Sequence, residues 1–201
     1  ICVDMRKLNS AHKDYVDKFP LARIDDCIDA LSGNTWFSSI DVSASFHQIP
    51  IASSDRYKTA FCTRKGQFQF KKLTMGFSSA PAVYCRLTER ILAGLLYNTV
   101  ISYVDDATVV TKNFDSMITN LEEVLQRFAQ ANIKLRPSKC FLFQHEVDFL
   151  GHIVSAAGRR VSPRRTACLD ELSFPKDIHE LRRVLGFFSY NRSYIPNYSD
   201  L

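Results

Sequence analysis

Two adjacent carboxylates, Asp105 and Asp106, lie within the otherwise apolar run TVISYVDDATVV. Because Asp readily adopts turn geometry, the pair could be no more than the two-residue loop of an acidic hairpin. A third carboxylate, Asp41, ends the apolar run WFSSID in a comparable setting. If the strands that carry Asp41 and the pair are neighbours, the three carboxylates meet at one edge of a sheet.

Three carboxylates at one sheet edge would favour a bound cation. Like charges held close together raise one another's pKa unless a positive charge neutralises them. An all-oxygen site with few protein ligands suits Mg²⁺, which completes its shell with water or phosphate oxygens. Two such ions roughly 3.5–4 Å apart activate an attacking hydroxyl and stabilise a leaving oxygen. Provided that the strands converge, these residue types predict phosphoryl transfer.

The composition is that of an ordinary globular protein with one large domain or two small ones. The chain has 201 residues, of which 46% are hydrophobic and 23% charged. No apolar run approaches the roughly 18 residues of a membrane-spanning helix, so we expect no membrane partner. The six cysteines lack the paired spacing of a zinc site. Most of them lie in apolar surroundings, which predicts reduced core thiols in a reducing compartment.

The charge balance favours polyanionic partners only mildly. The formal net charge is +5, and it is locally stronger in the run GRRVSPRR, which carries Arg159, Arg160, Arg164 and Arg165. A solvated loop and a phosphate-binding surface explain this basic cluster equally well.

Hydrophobic periodicity predicts helices in four stretches of the chain. The first helix ends at Gly33, and the second begins with Ser79 as a cap and Pro81 in its first turn. The third runs from about Asp115 to Ala131, with Asn132 as a left-handed terminator. The fourth begins at an Asp177-x-x-Glu180 capping pattern. The side chains expected on their buried faces are Ile24, Cys27, Ile28 and Leu31, then Tyr84, Leu87, Ile91 and Leu95, then Ile118, Leu121, Leu125 and Phe128.

Strands are expected between these helices. The runs WFSSID and FHQIPI read as strands, and GQFQFKKL alternates Phe68 and Phe70 with polar residues, as a half-exposed strand does. Two further strands, 99–104 and 107–111, would be joined by the Asp pair, and FLFQHEVDFL would pair with GHIVS. This order predicts an α+β fold in which helices back a small sheet on one face.

Several blocks of the chain occur in an order that a known family shares. They are VDMRKLN, FSSIDVSASFHQIPI, KTAF, FKKLTMGFSSAPAVYCRL, YVDD, IKLRPSKCFLFQHEVDFLGHIVS and ELRRVLGFFSYNRSYIPNYS. Together they resemble the reverse transcriptase of gypsy-type LTR retrotransposons, which is related to retroviral polymerases. YVDD alone could occur by chance, whereas coincidence does not explain so many blocks at compatible spacing.

The resemblance implies a right-hand polymerase fold with an RRM-like palm, whose antiparallel sheet is backed by helices. Residues 1–13 and 49–79 would be mainly fingers, 14–48 and 80–160 mainly palm, and 161–201 the start of the thumb or connection. The chain lacks an initiator Met, and we expect it to be a fragment of a Pol polyprotein. RNase H, integrase and protease would lie outside it, and the location would be intracellular, in a cytoplasmic retroelement particle.

The resemblance also implies catalytic roles. Asp41 and Asp105 would be the metal ligands, Asp106 would assist them, and the backbone carbonyl of Val42 would join the metal shell. The cofactor would be two Mg²⁺ ions, with Mn²⁺ as a substitute. Lys139 matches a lysine proposed to protonate the leaving pyrophosphate, although an ordinary surface lysine is the alternative.

Further residues match positions that contact substrate in this family. Phe46 matches the steric gate, whose ring excludes a ribose 2′-OH; a core aromatic residue is the alternative. Met75 and Gly76 fall where the family contacts the incoming nucleotide and the template, and Arg6 matches a fingers residue near both.

The run FLGHI resembles the primer grip, a hairpin that positions the primer 3′ end. Its residues are Leu150, Gly151 and His152. Small misplacements of an attacking hydroxyl cost large rate factors, which explains why such a hairpin is needed. A turn glycine followed by a surface histidine is the alternative.

The function that the resemblance implies is an RNA-directed and DNA-directed DNA polymerase that adds deoxynucleotides to a primer 3′-OH. Its partners would be an RNA or DNA template-primer and deoxynucleoside triphosphates. The competing interpretation is a catalytically inactive, nucleic-acid-binding remnant of a retroelement. A two-metal nuclease is disfavoured because nucleases lack the gate and primer-grip motifs.

Overall fold

The computed structural model describes residues 3–15, 17–167 and 174–200. Its helices are α1 (Arg6–Ala11), α2 (Ile24–Leu31), α3 (Ala80–Ile91), α4 (Phe114–Gln130), α5 (Pro163–Thr166) and α6 (Ile178–Tyr190). Its strands are β1 (Trp36–Asp41), β2 (Phe61–Thr63), β3 (Gly66–Phe68), β4 (Val100–Tyr103), β5 (Asp106–Thr111), β6 (Phe141–Gln144), β7 (Glu146–Phe149), β8 (His152–Ser155) and β9 (Gly158–Val161).

A four-stranded antiparallel sheet with the order β4-β5-β1-β6 forms the centre of the fold. One face packs against α4 and the end of α3, with Ile40 and Val109 in the contact. The other face packs against α2 and the β7–β8 hairpin, with Phe37 and Val110 in the contact. The α+β class and the helix-backed sheet are therefore confirmed. Both faces of the sheet are covered, whereas helices on one face only were expected. The second face is covered because the chain after β6 folds back over the sheet.

The predicted strand FHQIPI is wrong in its first half. After β1 the chain takes a left-handed step at Ala44, with φ of 47°, and forms a 3-10 turn over Ser45–Gln48. The second half is extended, since the amide of Ile51 donates to the carbonyl of Lys71 and the amide of Leu73 donates to that of Ile49. The tight turn directs the chain away from the sheet a few residues after Asp41.

The segment FLFQHEVDFL is two strands rather than one. β6 pairs with β1 in the central sheet, whereas β7 belongs to a separate three-stranded sheet with β8 and β9. Phe143 adopts a left-handed φ of 56°, and its amide donates to Ser38 Oγ at 3.0 Å. This irregularity shifts the register between the two β6–β1 pairs, Phe141 with Ser39 and Gln144 with Phe37. After Gln144 the chain leaves this sheet, and β7 covers its other face. In GQFQFKKL the strand is likewise short, ending at Phe68.

The third predicted helix is α4, and half of its expected buried face is wrong. Leu121 and Phe128 are buried as predicted, but Ile118 and Leu125 are exposed, at 47% and 36%. Met117 and Val124 take the inward positions instead. Successive helical residues lie about 100° apart, so an error of one residue moves a side chain to a different face. Asn132, with φ of 57°, ends the helix in left-handed geometry as predicted.

The other helix signals also had mixed outcomes. Pro81 lies in the first turn of α3 as expected, but the side chain of Ser79 does not cap the helix. Its hydroxyl instead accepts a hydrogen bond from the amide of Asp17 at 3.1 Å. Asp177 caps α6 as predicted, accepting a hydrogen bond from the amide of Glu180 at 2.7 Å.

The buried faces predicted for the first two helices agree in part with the structure. The buried face of α2 is as expected for Cys27, Ile28 and Leu31. In the α3 stripe Tyr84 is buried, whereas Leu95 is buried in the turn after the helix ends. The described cysteines, Cys27, Cys62, Cys85 and Cys140, are free thiols as expected. Of these four, Cys27 is buried, Cys85 and Cys140 are half-buried and Cys62 is exposed, so a core position is wrong for Cys62. Cys2 and Cys168 lie outside the described residues. No helix in the described ranges is long and apolar enough to span a membrane.

Candidate active site

The pairing of β1 with β5 brings two of the three predicted carboxylates together. Asp41, the last residue of β1, is the direct antiparallel partner of Asp106, the first residue of β5. Residues directly opposite on antiparallel strands have Cβ atoms about 4.5–5.5 Å apart. Asp105 precedes Asp106 at the tip of the β4–β5 hairpin. The strands that carry Asp41 and the Asp pair are therefore neighbours, which is the condition on which the metal-site prediction depended.

The turn of this hairpin is one residue earlier than predicted. Tyr103 and Asp106 form its last ladder pair, so the two-residue loop is Val104–Asp105 and not the Asp pair. Val104 adopts a left-handed φ of 52°, which is rare for a β-branched residue and costs roughly 1–3 kcal/mol. This shift has a consequence for the site, because it places Asp106 in the sheet beside Asp41 and Asp105 at the tip.

The electrostatics of Asp106 reflect its neighbours. Its side chain still reaches solvent, but burial by the surrounding protein raises its pKa above the ordinary value. The charges of Asp105 and Asp41 raise that pKa further, and Lys139 partly opposes them. The three carboxylates and Lys139 therefore act on one another electrostatically, and a cation among the carboxylates would relieve their repulsion.

Asp41 is held from the opposite side by the segment that precedes β6. Its backbone carbonyl accepts a hydrogen bond from the amide of Arg136 at 2.9 Å. The Arg136 guanidinium lies 3.7 Å from the Asp41 carboxylate. The amide of Asp41 points at Cys140 Sγ, 3.4 Å away. Lys139 lies in the same segment, at the end of the 3-10 turn Pro137–Lys139.

Val42, the residue after Asp41, is buried and forms an isolated antiparallel bridge with Leu135. The two hydrogen bonds that flank this bridge use the carbonyl of Asp41 and the amide of Ser43. They do not engage the carbonyl of Val42, so the bridge leaves its predicted role as a ligand compatible with the fold.

An open cleft of about 860 Å³ separates the carboxylates from the β7–β8 hairpin. Its lining includes Asp41, Asp106 and Lys139 as well as Leu150 and Arg164. In the described part of the chain no group of three or more His, Cys, Asp or Glu side chains is close enough together to hold a metal ion. The donor set still fits Mg²⁺, which keeps several non-protein ligands and takes only one or two carboxylates.

Phe46 lies in the 3-10 turn that follows Val42. It is half-buried, and its ring contacts the buried ring of Tyr84 edge-on, with centroids 5.8 Å apart. Burial raises the pKa of Tyr84 well above its ordinary value, so this phenol stays neutral. Phe46 is thus anchored on the core on one side and partly open on the other, which is compatible with both a gate and a core aromatic residue.

Gln48 was not singled out from the sequence, yet it fixes this turn. Its side-chain amide donates to the carbonyls of Ser43 and Lys134, and its side-chain oxygen accepts from the amide of Lys134 at 2.7 Å. The side chain therefore bridges the turn that carries Phe46 to the strand-like segment beside Val42. No local pattern in the sequence signals this bridge, because its partners are 86 residues apart.

The predicted fingers contacts form a separate group. Gly76, with φ of 83°, accepts a hydrogen bond on its carbonyl from Asn9 Nδ2 at 2.7 Å. The amide of Ser78 donates to Asn9 Oδ1 at 2.9 Å. Met75 beside it is 61% exposed, and Arg6 is exposed and paired with Asp4 at 2.6 Å. The structure therefore joins Gly76 to the N-terminal segment, and the roles of Arg6 and Met75 stay predictions.

The predicted primer grip is the turn of the β7–β8 hairpin. Leu150 and Gly151 form its two-residue loop, with φ of 51° and 82°, and the hairpin closes at Phe149 and His152. His152 is 4% exposed, so the alternative of a surface histidine is wrong. It is buried because aromatic residues of the C-terminal segment cover it.

Several arginines of the basic cluster Arg159, Arg160, Arg164 and Arg165 contact other protein groups, so the cluster matches neither a fully solvated loop nor an unoccupied phosphate-binding surface. Arg160 pairs with Glu146 at 2.8 Å, and Arg159 lies 3.9 Å from Asp29. Arg165 donates to the carbonyl of Leu150 at 2.9 Å. Arg160 and Arg164 also line the cleft, together with the carboxylates of Glu146 and Asp148, so this part of its lining carries both signs of charge.

Comparison with known proteins places these features in one family. The family profile described as reverse transcriptase (RNA-dependent DNA polymerase) matches residues 1–154. The Retrovirus-related Pol polyprotein from transposon 412 of Drosophila melanogaster is 34% identical over 200 residues, which is 100% of this chain and 16% of the relative. That from transposon opus of the same organism is 32% identical over 197 residues, 98% of this chain and 19% of the relative. The chain thus spans less than a fifth of these relatives.

Solved structures of foamy viral protease-reverse transcriptase share the fold. The structure of its dRH form in complex with double-stranded DNA has a TM-score of 0.87 at 25% identity, covering 92% of this chain and 32% of that chain. The structure in complex with an RNA/DNA hybrid has a TM-score of 0.86 at 24% identity, covering 99% of this chain and 27% of that chain. The polymerase fold predicted from the sequence is confirmed. The profile match and this shared fold show that the chain belongs to the reverse transcriptase family, as its resemblance to gypsy-type LTR retrotransposons predicted.

Proposed function

We propose that the chain is the catalytic part of an RNA-directed and DNA-directed DNA polymerase that extends a primer during retrotransposon replication. The observation that carries the proposal is the direct pairing of Asp41 with Asp106, with Asp105 at the adjoining tip, in a chain of the reverse transcriptase family. In the reaction the primer 3′-oxygen bonds to the α-phosphorus of a deoxynucleoside triphosphate. The bond from that phosphorus to the bridging oxygen breaks, and pyrophosphate leaves.

The carboxylates of Asp41, Asp105 and Asp106, with the carbonyl of Val42, would hold two Mg²⁺ ions, and Mn²⁺ could replace them. Ions bound there lower the pKa of the attacking hydroxyl and stabilise charge on the leaving oxygen. The protein supplies closely spaced carboxylates: burial raises the pKa of Asp106 most, and the charges of Asp105 and Asp41 raise it further. The β1–β5 ladder supplies rigidity, because both carboxylates begin or end strands of one sheet.

Lys139 would protonate the leaving pyrophosphate. Its charge acts on Asp106, and it lines the cleft beside Asp41, so it lies on the side where the triphosphate would be held. Donation from its ammonium to the departing oxygen neutralises the charge that develops as the bond breaks. The neutral amine then regains a proton from solvent.

Phe46 would select deoxynucleotides. Its ring is anchored by Tyr84 on one side, and the Gln48 bridge fixes the turn behind it. A gate works by steric exclusion only if its ring cannot yield, so these two contacts support the role. Met75 and Gly76 would contact the nucleotide and template, and Arg6 would lie near both.

The partners would be an RNA or DNA template-primer and deoxynucleoside triphosphates. The foamy viral relatives have been solved with double-stranded DNA and with an RNA/DNA hybrid. In this chain the cleft between the carboxylates and the β7–β8 hairpin, with Arg160 and Arg164 on its wall, would hold the primer end. Binding through phosphates would be independent of sequence and sensitive to salt.

The test is primer extension by the whole protein on an RNA template with Mg²⁺ and deoxynucleotides. Asp105→Asn and Asp106→Asn should each reduce extension on the order of 10²–10³-fold, because they remove charge that stabilises the transition state. Asp115→Asn, an exposed carboxylate in the first turn of α4, is the matched control and should leave extension unchanged. Absence of extension by the unaltered protein, together with normal template-primer binding, would instead indicate a nucleic-acid-binding remnant.

A further inference from the structure

The turn Leu150–Gly151 is tied to the C-terminal segment through His152. The Nδ1 atom of His152 lies 2.8 Å from the hydroxyl of Tyr194, and its Nε2 atom lies 3.3 Å from the hydroxyl of Tyr190. Both tyrosine rings lie nearly parallel to the imidazole, with centroids 5.6 Å and 5.4 Å away. The histidine is therefore enclosed by two residues that come from α6 and the turn after it.

The donors and acceptors of this cluster can be arranged in only one order when His152 is neutral. The Tyr190 hydroxyl donates to the carbonyl of Leu150 at 3.1 Å, so its oxygen is left to accept from His152 Nε2–H. A neutral imidazole has one donor and one acceptor, so Nδ1 accepts from the Tyr194 hydroxyl. A directed chain of three hydrogen bonds thus runs from Tyr194 through His152 and Tyr190 to the turn.

The charges around His152 agree with a neutral ring. Burial lowers its pKa below the ordinary value, and the charges of Arg165 and Arg159 lower it further. Asp25 and Asp148 oppose these effects. Because the net effect lowers the pKa of His152, its imidazole is unprotonated near neutral pH. A chain of hydrogen bonds in a partly buried site is stronger than the same bonds in water.

The turn itself needs such support. Leu150 adopts a left-handed φ of 51°, a conformation that surrounding contacts must hold. Its carbonyl accepts from both Tyr190 and Arg165, and the Arg165 guanidinium stacks on the Tyr190 ring, 4.1 Å from its centroid. Leu150 lines the same cleft as Asp41 and Asp106. The C-terminal segment therefore sets where this wall of the cleft lies.

We propose that Tyr190 and Tyr194, acting through His152, are positioning residues that hold the Leu150–Gly151 turn at the distance from Asp41 and Asp106 at which a primer 3′-OH can attack. The inference rests on the proposed polymerase function and adds to it the residues of the C-terminal segment that set primer geometry. Neither tyrosine needs to touch substrate. A shift of about 1 Å in such a group can cost on the order of 10²-fold in rate.

The test compares three Tyr→Phe variants of the whole protein. Tyr190→Phe and Tyr194→Phe keep the rings and remove the hydroxyls from the chain of hydrogen bonds. The matched control is Tyr198→Phe, whose hydroxyl bonds to Ser189 Oγ at 2.9 Å in the same C-terminal segment. Single-turnover extension, the KM for deoxynucleotide, the Kd for template-primer and the melting temperature are measured for each.

Positioning predicts a specific pattern. Tyr190→Phe and Tyr194→Phe should lower the rate of nucleotide addition at least about tenfold at temperatures well below the melting temperature of each variant, with the Kd for template-primer equal to that of Tyr198→Phe. His152→Gln combined with Tyr190→Phe should be no slower than His152→Gln alone, because residues that act as one unit are not additive.

Two results would overturn the inference while leaving the polymerase proposal standing. One is an unchanged rate in both variants. The other is a loss explained entirely by weaker template-primer binding or by a lower melting temperature, since either would make the tyrosines binding or structural residues. Failure of the unaltered protein to extend any primer would instead reject the proposed function itself.

Discussion

Replacing Gly151 by Ala tests how tightly the β7–β8 turn is built. A Cβ at this position would lie 1.8 Å from Arg165 Nε, so the guanidinium would have to move. Gly94 is the matched control, because its φ of 81° nearly equals the 82° of Gly151 and a Cβ there would meet nothing within 4 Å. Both substitutions incur the left-handed penalty of roughly 1–2 kcal/mol, and only Gly151→Ala also displaces Arg165.

The additional cost follows from the contacts that Arg165 would lose. Its hydrogen bond to the Leu150 carbonyl contributes about 1.5 kcal/mol, at the low end for a charged donor because the carbonyl keeps its bond from Tyr190. Its stacking on the Tyr190 ring contributes about 0.5–1 kcal/mol at a partly exposed site. Gly151→Ala should therefore lower local stability by about 2 kcal/mol more than Gly94→Ala does.

Native-state hydrogen exchange of the whole protein is the appropriate assay, because it reports local opening free energies element by element. The amides of β8 should exchange roughly 30-fold faster in Gly151→Ala, beyond the change that Gly94→Ala causes in the last turn of α3. Equal effects of the two substitutions would refute the view that Arg165 holds this turn.

Three further predictions concern other parts of the molecule. Phe46→Ala should admit ribonucleotides into primer extension, because the ring anchored on Tyr84 no longer fills the space of a 2′-OH; unchanged sugar discrimination would remove the gate role. Since the folded-state pKa of His152 is lowered, the unfolded chain binds the proton more readily, so its contribution to stability should be lost as pH falls below about 6.5. Denaturant titrations should show this slope, and a His152→Gln variant with the same slope would contradict it. Asn113→Ala removes the cap of α4, whose side chain accepts from the amide of Ser116 at 2.8 Å, and should cost about 1 kcal/mol in unfolding free energy; no loss would show that the cap is replaced by water.

The sequence was most informative where chemistry depends on residue type and order. The ordered motif blocks were sufficient to predict the family. The adjacent carboxylates in an apolar run and the third carboxylate at a strand end singled out residues that lie at one end of the β1–β5 ladder and at its hairpin tip. Local signals with short range, such as the Asp177 cap and the left-handed Asn132, were also confirmed. These signals act within a few residues, so the sequence contains them in full.

The sequence was misleading where a one-residue shift or a long-range contact decides the outcome. The hairpin turn lies at Val104–Asp105 because the β4–β5 ladder closes at Tyr103 and Asp106. The inward face of α4 is set by its packing on the sheet, and Ile118 is as apolar as the buried Met117 beside it. The register of a hairpin and the rotation of a helix about its axis are decided by packing across the whole core. A local sequence pattern is compatible with registers and rotations that differ by one residue.

By itself, then, the sequence determined which side chains could do chemistry, because composition and order specify their types. Only the tertiary structure decided how they are held: that Asp106 rather than Asp105 faces Asp41, that Gln48 bridges the turn of Phe46 to Lys134, and that His152 is buried beneath Tyr190 and Tyr194. The physical reason is sequence separation. These contacts join residues between 38 and 86 positions apart, and they exist only after the sheet has formed and the chain has folded back over it.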